Sequence, residues 1–360
     1  MNLGTLLSDC TAGHRLSMQE AEFLFSVKGR DIFSVTRAAD QAREAAVGEA
    51  VTFVRNQNIN CTNICVNRCG FCGFSRGEDA TDAYLLSSSE LTRQAKLAQE
   101  RKVTEICSVS GLHPVYNLQS YCDIFRTIKD AAPDIHLHVS NPMEVAYAAR
   151  KSGCSTWDAL QAFKDAGVGT LCGTAAEILS DPIRAVICPG KISTSEWVRI
   201  IKEAHNIGIR TTATIMYGHC ESDEDRAKHL SVIRDIQDET GGFTEFVPLS
   251  YIHYKTPLFV NGISRPGATG REDLLMTAIS RLFLDNIRNI QVSWVKCGIK
   301  MAQLGLISGA NDLGGTLYEE SISKEAGATS GSFLDPTEMA YITSDLHRPL
   351  RERRTDYSLI

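Results

Sequence analysis

Short apolar or β-branched runs alternate along the chain with longer stretches whose apolar residues recur at helical spacing. The runs predict strands over Asn58–Thr62, Glu105–Ser110, Ile135–Ser140, Thr170–Gly173, Arg210–Tyr217, Glu245–Tyr251 and Asn289–Trp294, with an eighth near Leu306–Ala310. Most are bounded by Gly, Pro or Asn. Between them the 3.6-residue period predicts helices. Ser89–Arg101 opens on a serine with Glu90 in its first turn, and Leu118–Ala131 stops before Pro133. Ser195–Ile207 runs into Gly208, Ser222–Glu239 into Gly241 and Gly242, and Arg271–Arg288 keeps the helical period. Strand then helix, repeated about eight times, predicts an α/β fold of the (β/α)8 TIM-barrel type. An open doubly wound sheet is the alternative, but no glycine-rich dinucleotide fingerprint follows the first strand. Residues 1–50 read as an N-terminal helical extension covering the bottom or side, 51–345 as the barrel and 346–360 as a C-terminal tail.

Barrel enzymes carry their chemistry at the carboxyl ends of the strands. The unusual polar residues fall there. Cys65 to Cys72 follow the first strand, and Ser110-Gly111-Leu112-His113-Pro114 ends the second. Asn141-Pro142 ends the third, Gly173-Thr174 with Glu177 the fourth, and Tyr217-Gly218-His219-Cys220-Glu221 the fifth.

Composition narrows the function. The 360 residues are 43% hydrophobic and 22% charged, enough apolar material for a large core. A net charge of −6 argues against a broad surface for nucleic acid or anionic lipid. Neither a signal-peptide pattern nor an apolar stretch of about 20 residues is present, so no membrane partner is expected and a cytoplasmic location is the default. There the twelve cysteines stay reduced, as buried small hydrophobes or as ligands.

One group of cysteines stands apart. Cys65, Cys69 and Cys72 have the spacing Cys-x3-Cys-x2-Cys on a short loop. Three thiolates can hold three corners of a cubane iron–sulfur cluster and leave one iron open for a substrate. That open iron suits S-adenosylmethionine (SAM), whose amino and carboxylate groups can chelate it while the cluster delivers one electron to the sulfonium. Gly70 and Gly73 allow tight turns whose amides can reach the cluster sulfides, and Phe71 offers a flat surface for the adenine. A zinc site is the bland alternative, but zinc favours four ligands and no second cysteine pair follows. Cys61 could close the cluster as a fourth ligand. Its place inside the first predicted strand favours core or pocket lining instead.

With an aromatic residue before its last cysteine, this loop resembles that of the radical SAM superfamily. The wider text resembles one branch, the CofH family, the tyrosine-using half of FO synthases. The resemblance rests on Gly111-Leu112-His113-Pro114, on Gly173 to Leu179, on Ile187 to Ile192 and on Thr214 to Glu221. It continues through Thr240 to Leu249 and Gly309 to Thr316, and so covers roughly residues 40–350. The resemblance implies a 4Fe-4S cluster and SAM as cofactors. It further implies cleavage of the Cα–Cβ bond of L-tyrosine and transfer of its 4-hydroxybenzyl group to 5-amino-6-(D-ribitylamino)uracil, on the way to a deazaflavin. CofG, as a separate chain, and an electron donor such as flavodoxin or ferredoxin would be partners.

By the superfamily's pattern, Ser110 and Gly111 would meet the methionine moiety, Glu177 the SAM amino acid or ribose, and Arg184 its carboxylate. Gly218 and Glu221 align with an adenine-contact motif in which Met216 replaces the usual isoleucine. Glu177 and Glu221 have a plainer reading as carboxylates favoured at helix starts. For the polar uracil and for tyrosine, His113, Asn141, Glu144, Thr174, Tyr217, His219 and Trp294 sit at predicted strand ends. His219 and Glu221 are the candidates for removing a proton from tyrosine. His136 and His138 alternate on one strand and share a face. A futalosine-pathway enzyme of menaquinone synthesis is the nearest rival, and a non-catalytic iron–sulfur or zinc module the rival of another class.

Overall fold

The computed structural model describes residues 1–360, and its parallel strands follow one another around a ring. Strands β1 (Val51–Val54), β2 (Asn56–Asn58), β3 (Glu105–Ser108), β4 (His136–Val139), β5 (Thr170–Leu171), β6 (Arg210–Tyr217), β7 (Phe243–Ser250), β8 (Asp312–Gly315) and β9 (Leu350–Arg353) are all parallel. Strands β2 to β7 form one sheet in chain order, while β1, which runs into β2 across Arg55, lies between β8 and β9 in a second. Single parallel bridges close the ring, Phe246 to Ile290, Gln291 to Asp312 and Gln57 to Tyr318. The result is the expected TIM-type α/β barrel, a six-stranded curl completed by shorter pieces.

Three strand boundaries differ from the expected ones. The first strand lies upstream of Asn58–Thr62, because Asn56, Gln57 and Asn58 are polar yet buried and give no apolar signal. In the stretch Asn289–Trp294 only Ile290 and Gln291 make bridges, and Trp294 opens a short helix, Trp294–Cys297. Leu306 ends the helix Ile299–Leu306, and the strand expected at Leu306–Ala310 is found at Asp312–Gly315. Glycine hides that strand from propensity reasoning. Gly315 is required there, since a Cβ would lie 2.0 Å from Asn56 Oδ1.

Helices start where capping residues place them. The Ser87 hydroxyl accepts the Glu90 amide while the Glu90 carboxylate accepts the Ser87 amide, and Ser222 with Asp225 and Thr269 with Glu272 repeat the device. Apolar faces then cover the sheet. Trp197, Ile200, Ile201 and Ala204 of the helix Thr194–Asn206 are fully buried, each large side chain contributing about 1.5–3 kcal/mol. The N-terminal helices α1 (Leu3–Thr11), α2 (Met18–Ser26) and α3 (Ile32–Val47) lie on the barrel's side, with α2 against Asp223–Thr240 and α3 against Gly270–Phe283.

At the other end of the chain β9 delivers Arg353 into the floor of the barrel. Its guanidinium donates to Asp312 at 2.7 and 3.1 Å and to Glu245 at 3.3 Å, with the Tyr357 ring 3.9 Å from it. Thr52 and the Gly314 amide also donate to Asp312, while Gln291 and the Tyr357 hydroxyl donate to Glu245.

Candidate active site

The chain leaves β2 and enters the cysteine loop, which its neighbours pin on several sides. The Gly111 amide donates to Thr62 O, the Val66 amide to Leu112 O and the Gly70 amide to Ile187 O. Asn63 accepts the Tyr84 amide and donates to Asp82 O. Two glycines make the docking possible. A Cβ on Gly111 would lie 2.2 Å from Ile64 O, and one on Gly73 2.6 Å from Ala326 Cα. Cys65, Cys69 and Cys72 thus face one cavity of ≈ 390 Å³ that runs down the barrel.

The donor set fits an iron–sulfur cluster. All three thiols are free. Burial pushes Cys69 up to about 12, with Lys191 opposing, and raises Cys72 against the amides of Phe74 and Ser75. Thiols this buried need a metal's positive charge to become thiolates. Cys61 stands apart from them, in the core, with its sulfur 3.7 Å from the Ser108 hydroxyl and its thiol raised to about 11 by burial.

Around the cavity, polar atoms await partners. Asn58 Oδ1, Asn67 Nδ2, Ser75 Oγ, Thr174 Oγ1 and Glu320 Oε2 are buried and unbonded, and all belong to residues lining it. In a folded chain such atoms are nearly always satisfied, so ordered water or a polar guest completes them. Glu177 and Lys191 form a pair at 2.5 Å, and the ammonium stands 5.2 Å over the Phe71 ring. Burial lowers the Lys191 pKa, but Glu177 and Cys69 outweigh it and the net shift is upward. Burial raises Glu144 to about 8; its carboxyl accepts the Ser110 amide at 3.4 Å and Asn141 Nδ2 at 2.8 Å.

Of the residues expected at the site, Cys65, Cys69, Cys72, Phe71, Ser110, Gly111, Asn141, Glu144, Thr174, Glu177 and Trp294 line the cavity. Two of these also have structural duties. Asn141 caps the helix Pro142–Ser152, and Trp294 Nε1 donates to Gly315 O at 2.9 Å.

Six others, Arg184, His113, Tyr217, Gly218, His219 and Glu221, lie outside the cavity lining. The Arg184 guanidinium donates to the carbonyls of Ala175, Ala176, Ile178 and Ile192, so it is occupied by the backbone rather than by a carboxylate of SAM. His113 Nδ1 accepts the Val115 amide, and its ring packs on Tyr116. The Tyr217 hydroxyl donates to Asp273 at 2.7 Å. Glu221 accepts the amides of Gly218 and His219 and the guanidinium of Arg226, while His219 Nε2 bonds Met216 O at 3.1 Å. His219 and Glu221 are therefore bonded into the turn after β6 and onto Arg226.

Among the cavity residues that sequence reasoning missed are the charged Lys191, Lys296 and Glu320. Single charged residues read as surface by default, and only their position beside predicted strand ends could have marked them.

The Radical SAM superfamily model matches residues 59–233, and the CofH/MqnC C-terminal region model matches residues 240–358. A Methanospirillum hungatei protein named 5-amino-6-(D-ribitylamino)uracil–L-tyrosine 4-hydroxyphenyl transferase is 66% identical, over 99% of this chain and 97% of its own. A protein of the same name from Methanosphaerula palustris is 62% identical, over 99% of this chain and 98% of its own. The crystal structure of methylornithine synthase (PylB) superposes with a TM-score of 0.75 at 16% identity, covering 96% of this chain and 97% of that one, a likeness of fold. No helix is long and apolar enough to cross a membrane. Cysteine loop, barrel and near-full-length identity agree: the chain belongs to the 5-amino-6-(D-ribitylamino)uracil–L-tyrosine 4-hydroxyphenyl transferase family of radical SAM enzymes.

Proposed function

We propose that this chain holds a 4Fe-4S cluster on Cys65, Cys69 and Cys72, binds SAM beside it, and transfers the 4-hydroxybenzyl group of L-tyrosine to 5-amino-6-(D-ribitylamino)uracil. The observation that carries the reading is the opening of three free thiols, Cys69 buried and Cys65 and Cys72 partly so, onto one cavity rich in unbonded polar atoms. When bound, the cluster supplies one electron for reductive cleavage of SAM to a 5′-deoxyadenosyl radical.

The chain's own residues bind, orient and exclude water. Phe71 offers a face to the adenine, the backbone of Ser110 and Gly111 meets the methionine portion, and the Glu177–Lys191 pair presents both charges to the cofactor's polar groups. Glu144, neutral below about pH 8, can donate a proton-bearing oxygen to a uracil carbonyl. Thr174 and Asn58 add a hydroxyl and an amide to the same task. Enclosure by the barrel keeps water from a reactive carbon radical. The enzyme acts in the cytoplasm, where its twelve cysteines stay reduced, with an external electron donor and a separate CofG chain as partners.

Anaerobic turnover of the reconstituted protein with SAM, tyrosine and the ribitylaminouracil tests this. Mass spectrometry should find a hydroxybenzyl–uracil adduct together with 5′-deoxyadenosine. Absence of the adduct, or turnover of futalosine-pathway substrates instead, would sink the assignment.

A further inference from the structure

Two charged side chains on the cavity wall, Lys296 and Glu320, lack an ion-pair partner. Lys296 comes from the short helix Trp294–Cys297, and its ammonium makes no ion pair or hydrogen bond. The side chain is part of the cavity lining. Glu320 follows β8; its Oε1 accepts the Ser323 amide at 2.8 Å, while Oε2 is buried and unbonded. Burial lowers the Lys296 pKa, and Glu320 counters that more than Glu177 or Cys72 does. Cation and anion therefore feel one another without closing into a pair. Across the cavity Glu177 and Lys191 do close, at 2.5 Å.

Leaving two opposite charges apart in a cavity wall, one with a buried, unbonded carboxylate oxygen, is costly unless a guest completes them. The guest must carry an anion and a cation a short distance apart, which is the description of an α-amino acid zwitterion. We propose that Lys296 and Glu320 form the subsite for the backbone of the amino-acid substrate, with Lys296 Nζ on its carboxylate and Glu320 Oε2 on its ammonium. The inference rests on the reading above and names the part of the cavity that holds tyrosine. Lys296, Glu320 and the cluster cysteines line the same cavity. The residues are positioning groups for the substrate.

The test uses the reconstituted holoenzyme and the variants Lys296→Met, Lys296→Arg and Glu320→Gln, with cluster absorbance and SAM binding checked for each. Lys296→Met should raise KM for tyrosine roughly 10- to 100-fold and leave KM for the uracil unchanged, and Lys296→Arg should recover most of the loss. Two truncated tyrosines sharpen the result. Tyramine, which lacks the carboxylate, should inhibit wild type and Lys296→Met equally. 3-(4-Hydroxyphenyl)propionate, which lacks the ammonium, should do so for wild type and Glu320→Gln. An unchanged tyrosine KM in an active Lys296→Met enzyme overturns the subsite. So does a rise confined to the uracil or SAM. If Lys296→Met loses its cluster, the propionate comparison in Glu320→Gln decides. Failure of the wild type to couple tyrosine to the uracil refutes the function itself, whereas failure of the variants against an active wild type refutes only the subsite.

Discussion

At the floor of the barrel Arg353 is matched by Asp312 and Glu245, and those acids are matched in turn by Thr52, Gln291 and Tyr357. Near the cysteine loop the pattern reverses. Five buried polar atoms lack partners, Lys296 is unpaired, and three thiols face the cavity. Both regions are lined by side chains of the same barrel, and both bury polar groups that cost energy when left alone. The floor meets that cost within the chain and stabilises the fold. The rim leaves it open and can recover it only by binding. Polar residues inside a barrel therefore divide into those that hold the fold and those kept ready for ligands, and the hydrogen-bond partners tell which is which.

The largest effect expected from this division is on function without stability. Cys69→Ala should abolish both the visible absorbance of the reconstituted cluster and all turnover. Its urea unfolding as the metal-free protein should stay within about 1 kcal/mol of wild type, because only a sulfur is removed. Collapse of the metal-free variant would show that the rim also holds the fold. Arg353→Met should do the converse. It strands Asp312 and Glu245 as buried acids and should cost about 3–5 kcal/mol in urea denaturation, with normal cluster content in the protein that remains folded. A loss below about 1 kcal/mol would mean the floor is not a structural ion network. Gly111→Ala touches both properties. Its Cβ would lie 2.2 Å from Ile64 O, so the cysteine loop must move. We expect about 1–3 kcal/mol of destabilisation together with reduced cluster incorporation, read by iron content per chain.

Legibility in the sequence followed the same division. Strands β3 to β7 and the helices between them were readable because their apolar faces repeat with the right period, and Ser222 marks a helix start, while the caps Ser87 and Thr269 lie two residues upstream of the expected starts at Ser89 and Arg271. Strands β1/β2 and β8 were misplaced because Asn56, Gln57, Asn58 and Gly315 serve the barrel interior rather than a propensity. The cysteine spacing is local in sequence and was plain. Strand-end position brought Glu144, Thr174 and Glu177 to the cavity but also recruited His219, Glu221 and Tyr217, which lie just behind its wall. Position along a strand gives the height of a residue in the barrel. Which side of the wall it occupies depends on partners such as Arg226 and Asp273, far away in the chain.

Glu144 sharpens the comparison at its smallest scale, since it is a rim carboxyl with no ion-pair partner, and Lys191 only partly offsets its burial. Burial raises it to about 8 from an ordinary 4.5. The unfolded chain therefore releases this proton several pH units before the folded one. Between those values the folded state binds more protons, so stability falls as pH rises from about 4.5 to 8 and levels off above. Glu144→Gln removes the titration. It should match wild type near pH 5 and exceed it near pH 8, by on the order of a few kcal/mol, in urea titrations across that range. Binding should follow the same proton. If neutral Glu144 donates to the uracil, KM for the uracil should rise above about pH 8 in wild type and stay level in Glu144→Gln. A stability slope that survives the substitution would mean that the carboxyl is already ionised at neutral pH. The rim would then hold a buried anion awaiting a donor, and the uracil would meet it through its N–H groups rather than its carbonyls.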